Sequence, residues 1–287
     1  MISVVILTLN EATNLPRCLA SVAWSDDVVV LDSGSTDDSI AIAERLGART
    51  MLRPFDSFAG QRNHAMEHAA FRHPWVLHLD ADEVVTHALR EELRAIAAAT
   101  DAAYPVYRVP SKIIFMGRWL KYAGMYPAYQ VRFGRADALR FIDHGHGQRE
   151  VQPPGQVGTL LHPLDHYNFS KGVGDWFTRH LRYAEREARQ ILDERAQPLR
   201  MGDMLSIDAT IRRRGLKRMA ARMPLRPTLR FVYSYVFRRG FLDGLAGLQY
   251  ARMLAIYQQF IDFNIEDLRA CQSSAGADAS TQETPNT

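Results

Sequence analysis

The sequence has few cysteines and no long apolar run, and both absences limit the kind of protein that it can encode. Cys18 and Cys271 are the two cysteines among 287 residues, too few for a disulfide framework or a cysteine-based metal motif. No uninterrupted apolar segment is long enough to span a bilayer. The first ten residues, "MISVVILTLN", have no basic region of the kind that begins a secretory signal peptide. We therefore expect a reduced protein that is made in the cytoplasm and stays there.

Acidic residues are absent from one long segment, although the formal net charge of the whole chain is only +3. Between Ala209 and Leu242 there is no Asp or Glu, and arginines accumulate among Leu, Met, Phe and Tyr. A basic amphipathic stretch is typical of a surface that faces anionic lipid. Nucleic-acid binding is the rival interpretation, disfavoured because no recognised nucleic-acid module accompanies the stretch. A solvated helix face with no partner is the third. The segment predicts an anionic membrane surface, and no nucleic acid, as a partner.

Short β-branched runs alternate with helical patterns over the first hundred residues. The runs at 2–8, 27–32 and 75–80 are nearly continuous apolar segments, as expected of strands that are buried on both faces. The alternation predicts an α/β fold with a doubly wound, mostly parallel sheet that carries helices on both faces. Such sheets bind ligands at the carboxyl ends of their strands. The expected helices cover residues 13–22, 38–47, 58–70 and 86–99.

The rest of the chain predicts a helical extension and a tail. After about residue 100 the pattern loosens, and helical periodicity returns at 173–195 and 241–264. The last residues lack apolar side chains and are expected to be disordered. The predicted organisation is a catalytic domain at 1–170, a helical and basic extension that associates with a membrane at 171–270, and a disordered tail at 271–287.

Three carboxylates follow the strand at 75–80, in the sequence Asp80-Ala81-Asp82-Glu83. Asp80 and Asp82, one small residue apart on a turn, can present both side chains to one diphosphate. Mg²⁺ and Mn²⁺ are commonly held by one or two carboxylates together with the substrate's phosphates. The plain alternative is a strand that runs out into water. The position directly after a buried strand favours a metal and substrate site.

The other two strands also end in polar residues. Asp32 precedes a flexible Ser-Gly-Ser-Thr-Asp loop that could contact a base, a ribose or an anion, or could be a simple turn before a helix. After the first strand come Thr8, Asn10 and Glu11. Glu11 could accept hydrogen bonds from ribose hydroxyls, although a turn or helix cap is an equal alternative.

Together, three segments resemble the family 2 glycosyltransferases with the GT-A fold. They are "VVILTLNEATNLPRCLASV", "DDVVVLDSGSTDDSIAIAERLGA" and "WVLHLDADE". The segment "PFDSFAGQRNHAME" resembles the subgroup of lipopolysaccharide-core β-1,4-glucosyltransferases. The resemblance implies that Thr8, Asn10 and Glu11 line the nucleotide pocket, and that Asp32 contacts the base. It also implies that Asp80 contacts the ribose or the metal shell, and that Asp82 is the principal ligand of Mg²⁺ or Mn²⁺.

The acceptor hydroxyl needs a general base, and the segment "RFIDHGHGQREV" offers four candidates, Asp143, His144, His146 and Glu150. The resemblance favours Glu150, followed by Asp143, because related enzymes have an acidic residue near this point. It also implies that Lys171 approaches the diphosphate. Arg62 and Asn63 are expected either to reach the nucleotide or sugar, or to lie on a solvated helix face.

The sequence therefore predicts an inverting, metal-dependent glycosyltransferase of bacterial surface-glycan synthesis, for lipopolysaccharide core or exopolysaccharide. Its donor is expected to be a nucleotide sugar, with UDP as the nucleotide, and its acceptor a glycan or a lipid-linked sugar. It is expected to be peripheral at the inner face of the cytoplasmic membrane. A sugar-phosphate nucleotidyltransferase is an alternative, as is a non-catalytic membrane or nucleic-acid binding protein on the same fold.

Overall fold

The computed structural model describes residues 1–144, 147–151, 155–196, 198, 201–205 and 209–281. The chain divides into two compact units, Met1–Gly172 and Val173–Thr287.

The first unit is built on one large mixed sheet and a separate pair of strands. Four helices accompany the first half of the sheet in the described part of this unit: α1 (Leu15–Ser21), α2 (Ser39–Arg45), α3 (Phe58–His68) and α4 (His87–Ala98). The strands are β1 (Ile2–Thr8), β2 (Val28–Asp32), β3 (Arg49–Leu52), β4 (Trp75–Asp80), β5 (Glu83–Val85), β6 (Val106–Phe115), β7 (Arg118–Trp119), β8 (Ala128–Arg135), β9 (Phe141–His144), β10 (Gly147–Glu150), β11 (Val157–Thr159) and β12 (Leu164–His166).

The main path of the sheet has the order β3-β2-β1-β4-β8-β6-β12-β5, and β7 and β11 pair with β6 beside it. The strands β3, β2, β1 and β4 are mutually parallel, as expected of a doubly wound fold. From β4 onward the pairing becomes mixed, because β8 lies antiparallel to both β4 and β6. The α/β class predicted from the sequence is confirmed, with an antiparallel insertion in the second half of the sheet.

Helices cover both faces of the parallel strands, and the alternation of side chains along β1 shows how. Val4 and Ile6 belong to a core cluster that includes side chains of α1, α2 and α4. Val5 and Leu7 point to the other face, where they pack with side chains of α3. Because side chains alternate along a strand, a strand that is buried on both faces needs an apolar residue at every position. This explains why β1 is a nearly continuous apolar run, in which Ser3 and Thr8 are the polar residues.

The second unit is helical. Its helices are α5 (Gly172–Ala196, beginning at the last residue of the first unit), α6 (Met201–Met204), α7 (Ala209–Ala220), α8 (Arg226–Val232) and α9 (Gly244–Thr281), with a π-helical turn at Tyr233–Phe237 and a 3₁₀ turn at Gly240–Asp243. Ala184 and Ala188 of α5 pack against Ile261 and Ile265 of α9. Among the described helices, none is both long and apolar enough to cross a bilayer.

The last helix is longer than the sequence predicts. The pattern indicates a helix that ends near residue 264 and a tail from 271, whereas α9 continues to Thr281. The residues of this part are Cys, Gln, Ser, Ala, Gly, Asp and Thr, and the first proline after it is Pro285. Proline is the residue that stops a helix outright, so nothing in the segment 271–281 enforces an earlier end. Residues 282–287 lie outside the described part of the chain.

Candidate functional site

The register of the parallel strands brings three of the predicted site segments to one edge of the sheet. Thr8 of β1 lies opposite Asp32 of β2, and Leu7 of β1 lies opposite Asp80 of β4. The carboxyl ends of the three strands therefore meet in adjacent positions. This is the edge at which parallel sheets bind ligands.

Asn10 connects the loops that follow β1 and β2. Its backbone N–H donates to Ser35 Oγ at 2.7 Å, and its side-chain Oδ1 accepts from the Thr36 N–H at 2.7 Å. Its φ of 55° is in the left-handed region, which Asn tolerates better than most residues. The next residue, Glu11, donates its N–H to Ser39 Oγ at 2.8 Å. The polar residues after β1 thus hold the two loops together.

Asp32 is buried and holds its own loop. Its Oδ1 accepts from the N–H groups of Gly34 at 2.8 Å and Ser35 at 2.7 Å, and its Oδ2 accepts from Ser35 Oγ at 2.5 Å. Only 1% of the residue is exposed. Thr8, opposite Asp32, is also buried, and within the described part of the chain its Oγ1 has no hydrogen-bond partner. The predicted contact of Asp32 with a base stays a prediction, because in this structure the carboxylate is turned into the loop.

Glu11 and Lys171 form an ion pair, although they are 160 positions apart in the sequence. Lys171 Nζ donates to Glu11 Oε1 at 2.5 Å, and Asn14 Nδ2 donates to Glu11 Oε2 at 2.7 Å. Burial raises the pKa of Glu11, while Lys171 and Asn14 oppose that rise. Two residues that the sequence predicts to face the nucleotide are thus neighbours. Asn14, whose side chain is engaged here, also occupies the N-cap position of α1.

Two buried arginines clamp Asp80. Arg62 Nη2 of α3 donates to Asp80 Oδ1 at 2.7 Å, and Arg132 Nη2 of β8 donates to Asp80 Oδ2 at 2.5 Å. Both arginine side chains are almost fully buried, whereas the Asp80 side chain is 31% exposed. Buried charges are stable in proteins when they are paired and hydrogen-bonded. Arg62 is therefore part of the site, and the alternative of a solvated helix face is wrong.

Glu83 is joined to the same cluster. Its Oε1 accepts from Arg132 Nη2 at 2.9 Å, and its Oε2 accepts from the Asp80 N–H at 2.9 Å. Burial and the charge of Asp80 raise the pKa of Glu83. The hydrogen bond from the Asp80 N–H to the Glu83 side chain thus joins the two ends of the acidic turn. In this structure Glu83 supports Asp80 by accepting from its N–H and by sharing Arg132 with it, and its role in any reaction stays open.

Asp82 faces a histidine from a neighbouring strand. The distance from Asp82 Oδ2 to His166 Nε2 is 3.3 Å, and His166 lies opposite Glu83 in the antiparallel pair of β12 and β5. Burial opposes the charged ring, but the carboxylates of Asp82, Glu83 and Asp80 raise the pKa of His166 to about 9. The Tyr167 N–H donates to the Asp82 carbonyl at 2.8 Å. The short strand β12 thus covers the acidic turn.

The donors at this turn fit a metal that also binds its substrate. Arg62 and Arg132 each contact one oxygen of Asp80, and Asp82 and His166 are the neighbouring side chains at this turn that could ligate a cation. The predicted contact of Asp80 with the ribose or the metal shell stays a prediction. Among the described residues, no group of three or more His, Cys, Asp or Glu could hold a metal by itself. Mg²⁺ keeps few protein ligands and takes the rest from substrate phosphates and water. Asp82 could ligate a cation directly, and His166 could do so after losing the proton that its raised pKa retains at neutral pH. The pair therefore suits Mg²⁺ or Mn²⁺ that binds together with a diphosphate.

The two candidates for the general base lie on a separate pair of strands. Glu150 of β10 lies opposite Phe141 of β9, and Asp143 lies opposite Gln148. Asp143 is exposed and Glu150 is half-buried. His146 lies outside the described residues, and the side chain of His144 is likewise not described. The catalytic roles of Glu150 and Asp143 stay predictions.

The helix α3 links this pair of strands to the clamp. Asn63 Nδ2 donates to the Phe141 carbonyl at 2.8 Å, and Asn63 Oδ1 accepts from the Phe141 N–H at 3.0 Å. The Asn63 side chain thus makes the two hydrogen bonds that the backbone of a neighbouring strand would make. It holds Phe141, the first residue of β9, by both backbone groups. The preceding residue, Arg62, binds Asp80. Two consecutive residues of one helix therefore anchor the candidate donor site and the strands that carry the candidate bases.

Sequence reasoning missed Arg132 and His166. Arg132 stands between Val131 and Phe133 in a strand whose middle is fully buried. An arginine inside an apolar run is a signal of a paired buried charge, because unpaired charges are rarely buried. His166 gives a weaker signal, since the three-residue strand β12 has no readable periodicity.

Comparison with known sequences finds one family and several relatives. The profile described as Glycosyl transferase family 2 matches residues 3–147. An uncharacterised glycosyltransferase of Rickettsia conorii is 39% identical over 119 residues, which are 41% of each chain. The lipopolysaccharide core biosynthesis glycosyltransferase LpsC of Rhizobium meliloti is 32% identical over 179 residues, which are 56% of this chain and 62% of LpsC. The chain thus spans about two fifths of the rickettsial relative and less than two thirds of LpsC.

Comparison with solved structures finds more distant likenesses. TarS of S. aureus, residues 1–349, is 15% identical with a TM-score of 0.42, covering 94% of this chain and 91% of TarS. Glucosyl-3-phosphoglycerate synthase from Mycobacterium tuberculosis, in complex with Mn²⁺, uridine diphosphate and glucosyl-3-phosphoglycerate, is 17% identical with a TM-score of 0.44. That match covers 67% of this chain and 78% of the synthase.

Proposed function

The chain belongs to glycosyl transferase family 2, and we propose that it transfers a sugar from a nucleotide-sugar donor to a cell-surface glycan or a lipid-linked acceptor, with inversion at the anomeric carbon. The matched profile covers half of the chain and includes β1, β2 and β4, whose ends carry the candidate site. We further propose that residues 1–170 form the catalytic domain, that 171–270 form a membrane-associating helical extension and that 271–287 form a tail.

The observation that carries the proposal is the acidic turn, in which two arginines clamp Asp80 and His166 faces Asp82. Arg62 and Arg132 occupy both oxygens of Asp80, so this carboxylate is fixed beside the ends of β1 and β2. Asp82 pairs with His166 at 3.3 Å, an arrangement that can open to receive a cation. Mg²⁺ or Mn²⁺ held by Asp82 and His166 would neutralise the charge that develops on a leaving nucleoside diphosphate.

The other residues of the candidate site could bind the nucleoside, contact the diphosphate and activate the acceptor hydroxyl. Thr8, Asn10, Glu11 and Asp32 line the edge where the nucleoside would lie, and Asn10 keeps the two loops at a fixed separation. Lys171 can exchange its contact with Glu11 for a phosphate oxygen, because a primary ammonium serves as a mobile point charge. Glu150, or else Asp143, would accept the proton of the attacking hydroxyl. Inversion follows from attack on the face opposite the leaving group.

The identity of a relative supports an acceptor in the lipopolysaccharide core. LpsC is named for lipopolysaccharide core biosynthesis, and its similarity to this chain extends beyond the first hundred residues. We propose a core oligosaccharide, or another surface glycan built on a lipid, as the acceptor and a UDP-sugar as the donor. The basic segment 209–242 supports a location at the inner face of the cytoplasmic membrane, where such acceptors are assembled.

A donor screen tests the proposed activity. Purified protein is incubated with nucleotide sugars, a membrane extract as the source of acceptor, and Mn²⁺ or Mg²⁺, and release of nucleoside diphosphate is followed. We expect release with one nucleotide, and loss of release when the metal is chelated.

Calorimetric titration of nucleoside diphosphates, with and without Mn²⁺, tests the site itself. Asp82→Asn is expected to remove the metal-enhanced component of binding, whereas Asp101→Asn, at an exposed position, is expected to keep it. Metal-enhanced binding that survives in the Asp82 variant would contradict the site assignment.

A further inference from the structure

In the second unit, α8 and α9 form a helical hairpin that is closed by the turns between them. Arg226 Nη1 at the start of α8 pairs with Asp262 of α9 at 2.5 Å. Near the other end, the ring of Tyr235 lies 6.3 Å from that of Phe241. The sequence separation of the paired residues falls from 36 at the start of α8 to 6 at the π-helical turn that follows α8, which is the pattern of antiparallel helices. The closed end of the hairpin is therefore at residues 236–243.

The outer face of this hairpin exposes large apolar side chains. Leu229, Tyr233 and Phe237 follow each other at intervals of four residues, so they share one face of the helix. Phe237 is 75% exposed, and Leu225, just before α8, is 73% exposed. Further exposed apolar residues follow at the closed end. We call the whole set the apolar edge: Leu225, Leu229, Tyr233, Val236, Phe237, Phe241, Leu242 and Leu245.

The charges around the apolar edge have one sign. Arg230, Arg238 and Arg239 are interspersed with it, and no acidic residue occurs between Ala209 and Leu242. The first carboxylate after this segment, Asp243, is buried. Arg239 is exposed and has a φ of 60°, a conformation that costs a non-glycine residue about 1 kcal/mol or more. The closed end thus presents a cation beside exposed Phe and Leu side chains.

We propose that the hairpin inserts its apolar edge into the interface of an anionic lipid bilayer, with the arginines at the level of the lipid phosphates. Interfacial helices bind membranes by this combination of buried apolar area and attraction to anionic headgroups. The proposal deepens the membrane-associating role proposed above for residues 171–270, and its purpose rests on the proposed transfer to a lipid-linked acceptor. Because both units belong to one chain, insertion would keep the catalytic unit at the leaflet that carries a lipid-linked acceptor.

Charge and chemistry favour a bilayer over other occupants. A nucleic-acid backbone would pair with the arginines, but it offers no apolar partner for Leu229, Phe237 and Leu242. A second copy of the chain could cover the apolar residues, but a two-fold interface brings the same patch together from both subunits. That arrangement would set Arg239 and its neighbours against their own copies. A bilayer with anionic headgroups satisfies both features.

Vesicle flotation tests the binding, with the full chain and phosphatidylcholine vesicles that contain or lack phosphatidylglycerol. We expect the chain to float with the anionic vesicles and to be released by salt. Phe237→Ser combined with Phe241→Ser is expected to weaken binding about tenfold or more, from the lost burial of two aromatic side chains. The matched control, Leu52→Ser with Leu161→Ser, replaces two exposed apolar residues of the first unit and is expected to bind as the unmodified chain does.

Penetration is measured separately with Phe237→Trp and brominated lipids. We expect quenching of the added tryptophan beyond that seen in the unmodified chain. Absence of flotation, equal flotation of the serine variant, or flotation without added quenching would each overturn the proposal. So would a dimer in light scattering that the serine variant abolishes, or retention on DNA in place of vesicles.

Binding of nucleoside diphosphate and Mn²⁺ separates this proposal from the proposed function. The serine variant is expected to retain that binding, because its substitutions lie in the second unit. Flotation without nucleotide binding would contradict the enzyme assignment alone. Nucleotide binding without flotation would contradict the membrane proposal and the membrane-associating role proposed for residues 171–270, and would leave the proposed transfer activity standing.

Discussion

Arg62 and Asp80 form an ion pair at the centre of the candidate site, with 2.7 Å between Nη2 and Oδ1 and an arginine side chain that is 1% exposed. Arg132 completes the clamp from the opposite side, and it also binds Glu83. These hydrogen bonds hold the Asp80 carboxylate and the two guanidinium groups in fixed positions relative to one another. Removing one partner of a buried pair leaves an uncompensated charge, at a typical cost of about 3–5 kcal/mol.

Arg132→Met is expected to lower both stability and donor binding. The variant leaves Asp80 with one arginine and Glu83 with only a backbone donor, so the free energy of unfolding should fall by about 3–5 kcal/mol. Urea unfolding measures this change. The matched control is Arg135→Met on the same strand, since Arg135 pairs with Asp137 and both side chains are largely exposed. A loss within about 1 kcal/mol is expected there. Equal unfolding midpoints for the two variants would refute the clamp.

Much of the parallel half of the fold is predictable from the sequence, and the mixed half is not. The strands β1, β2 and β4 are buried on both faces, so continuous apolar runs reveal them. The helices α1 to α4 follow from the spacing of their apolar residues. By contrast, β5, β7, β11 and β12 have two or three residues each, too few for a period. The strand β6 contains Pro110 and Lys112, and these two residues interrupt the run of β-branched and aromatic residues by which a strand is recognised in a sequence.

The same limit applies to the site. Asp80 and Asp82 are recognisable because carboxylates follow a buried strand directly in the sequence. Arg132 is brought to them by an antiparallel strand 50 positions later, and its partner depends on the order of strands in the sheet. A local pattern cannot supply that order. The loop residues Asn10 and Asp32 are intermediate, since their position is predictable and their hydrogen-bond partners are not.

Asn63→Ala is expected to reduce turnover while donor binding persists. Asn63 holds both backbone groups of Phe141 at the start of β9, and β9 pairs with the strand that carries Glu150. Loss of this anchor leaves the clamp on Asp80 intact but frees the strands that bear the candidate bases. We expect kcat to fall about tenfold or more, as is usual when a positioning contact is lost, with little change in the affinity for nucleoside diphosphate.

The conservative variant at the same position separates anchoring from general destabilisation. Asn63→Asp keeps the acceptor for the Phe141 N–H but sets a carboxylate oxygen against the Phe141 carbonyl in place of the donor, so kcat is expected to fall at least as far as in Asn63→Ala. A parallel loss of nucleotide affinity in both variants would show that Asn63 supports the fold and not the position of β9.

His166→Gln is expected to weaken the metal-dependent part of donor binding. His166 is the one described imidazole that faces Asp82, and a glutamine of similar reach offers a weaker ligand. We expect a 10- to 100-fold loss of apparent Mn²⁺ affinity, roughly the range seen when groups that support a metal ligand are removed. Titration of Mn²⁺ at fixed nucleoside diphosphate measures it. His162→Gln, on an exposed residue of the same segment, serves as the control, and equal losses in both variants would exclude His166 from the site.

Asp27 gives the first unit a stability that depends on pH. Its buried carboxylate accepts from Ser3 Oγ at 2.6 Å, the Arg72 N–H at 2.8 Å and Arg49 Nη2 at 2.7 Å. Burial alone would raise the pKa of Asp27, but these donors lower it below the ordinary value of 3.8. A lowered pKa in the folded state contributes stability that is fully present above the unfolded pKa and is lost as pH falls through the folded pKa.

The unfolding free energy is therefore expected to fall with pH below about 4, and Asp27→Asn is expected to remove part of that dependence. At neutral pH the variant should be less stable by about 1–3 kcal/mol, because the donors that faced a carboxylate meet a neutral amide. Urea unfolding at a series of pH values measures both effects. Asp26→Asn changes the next residue, whose side chain is 61% exposed and pairs with His73. A smaller effect is expected there, since exposed pairs add little, and an equal effect would mean that burial of Asp27 is not the cause.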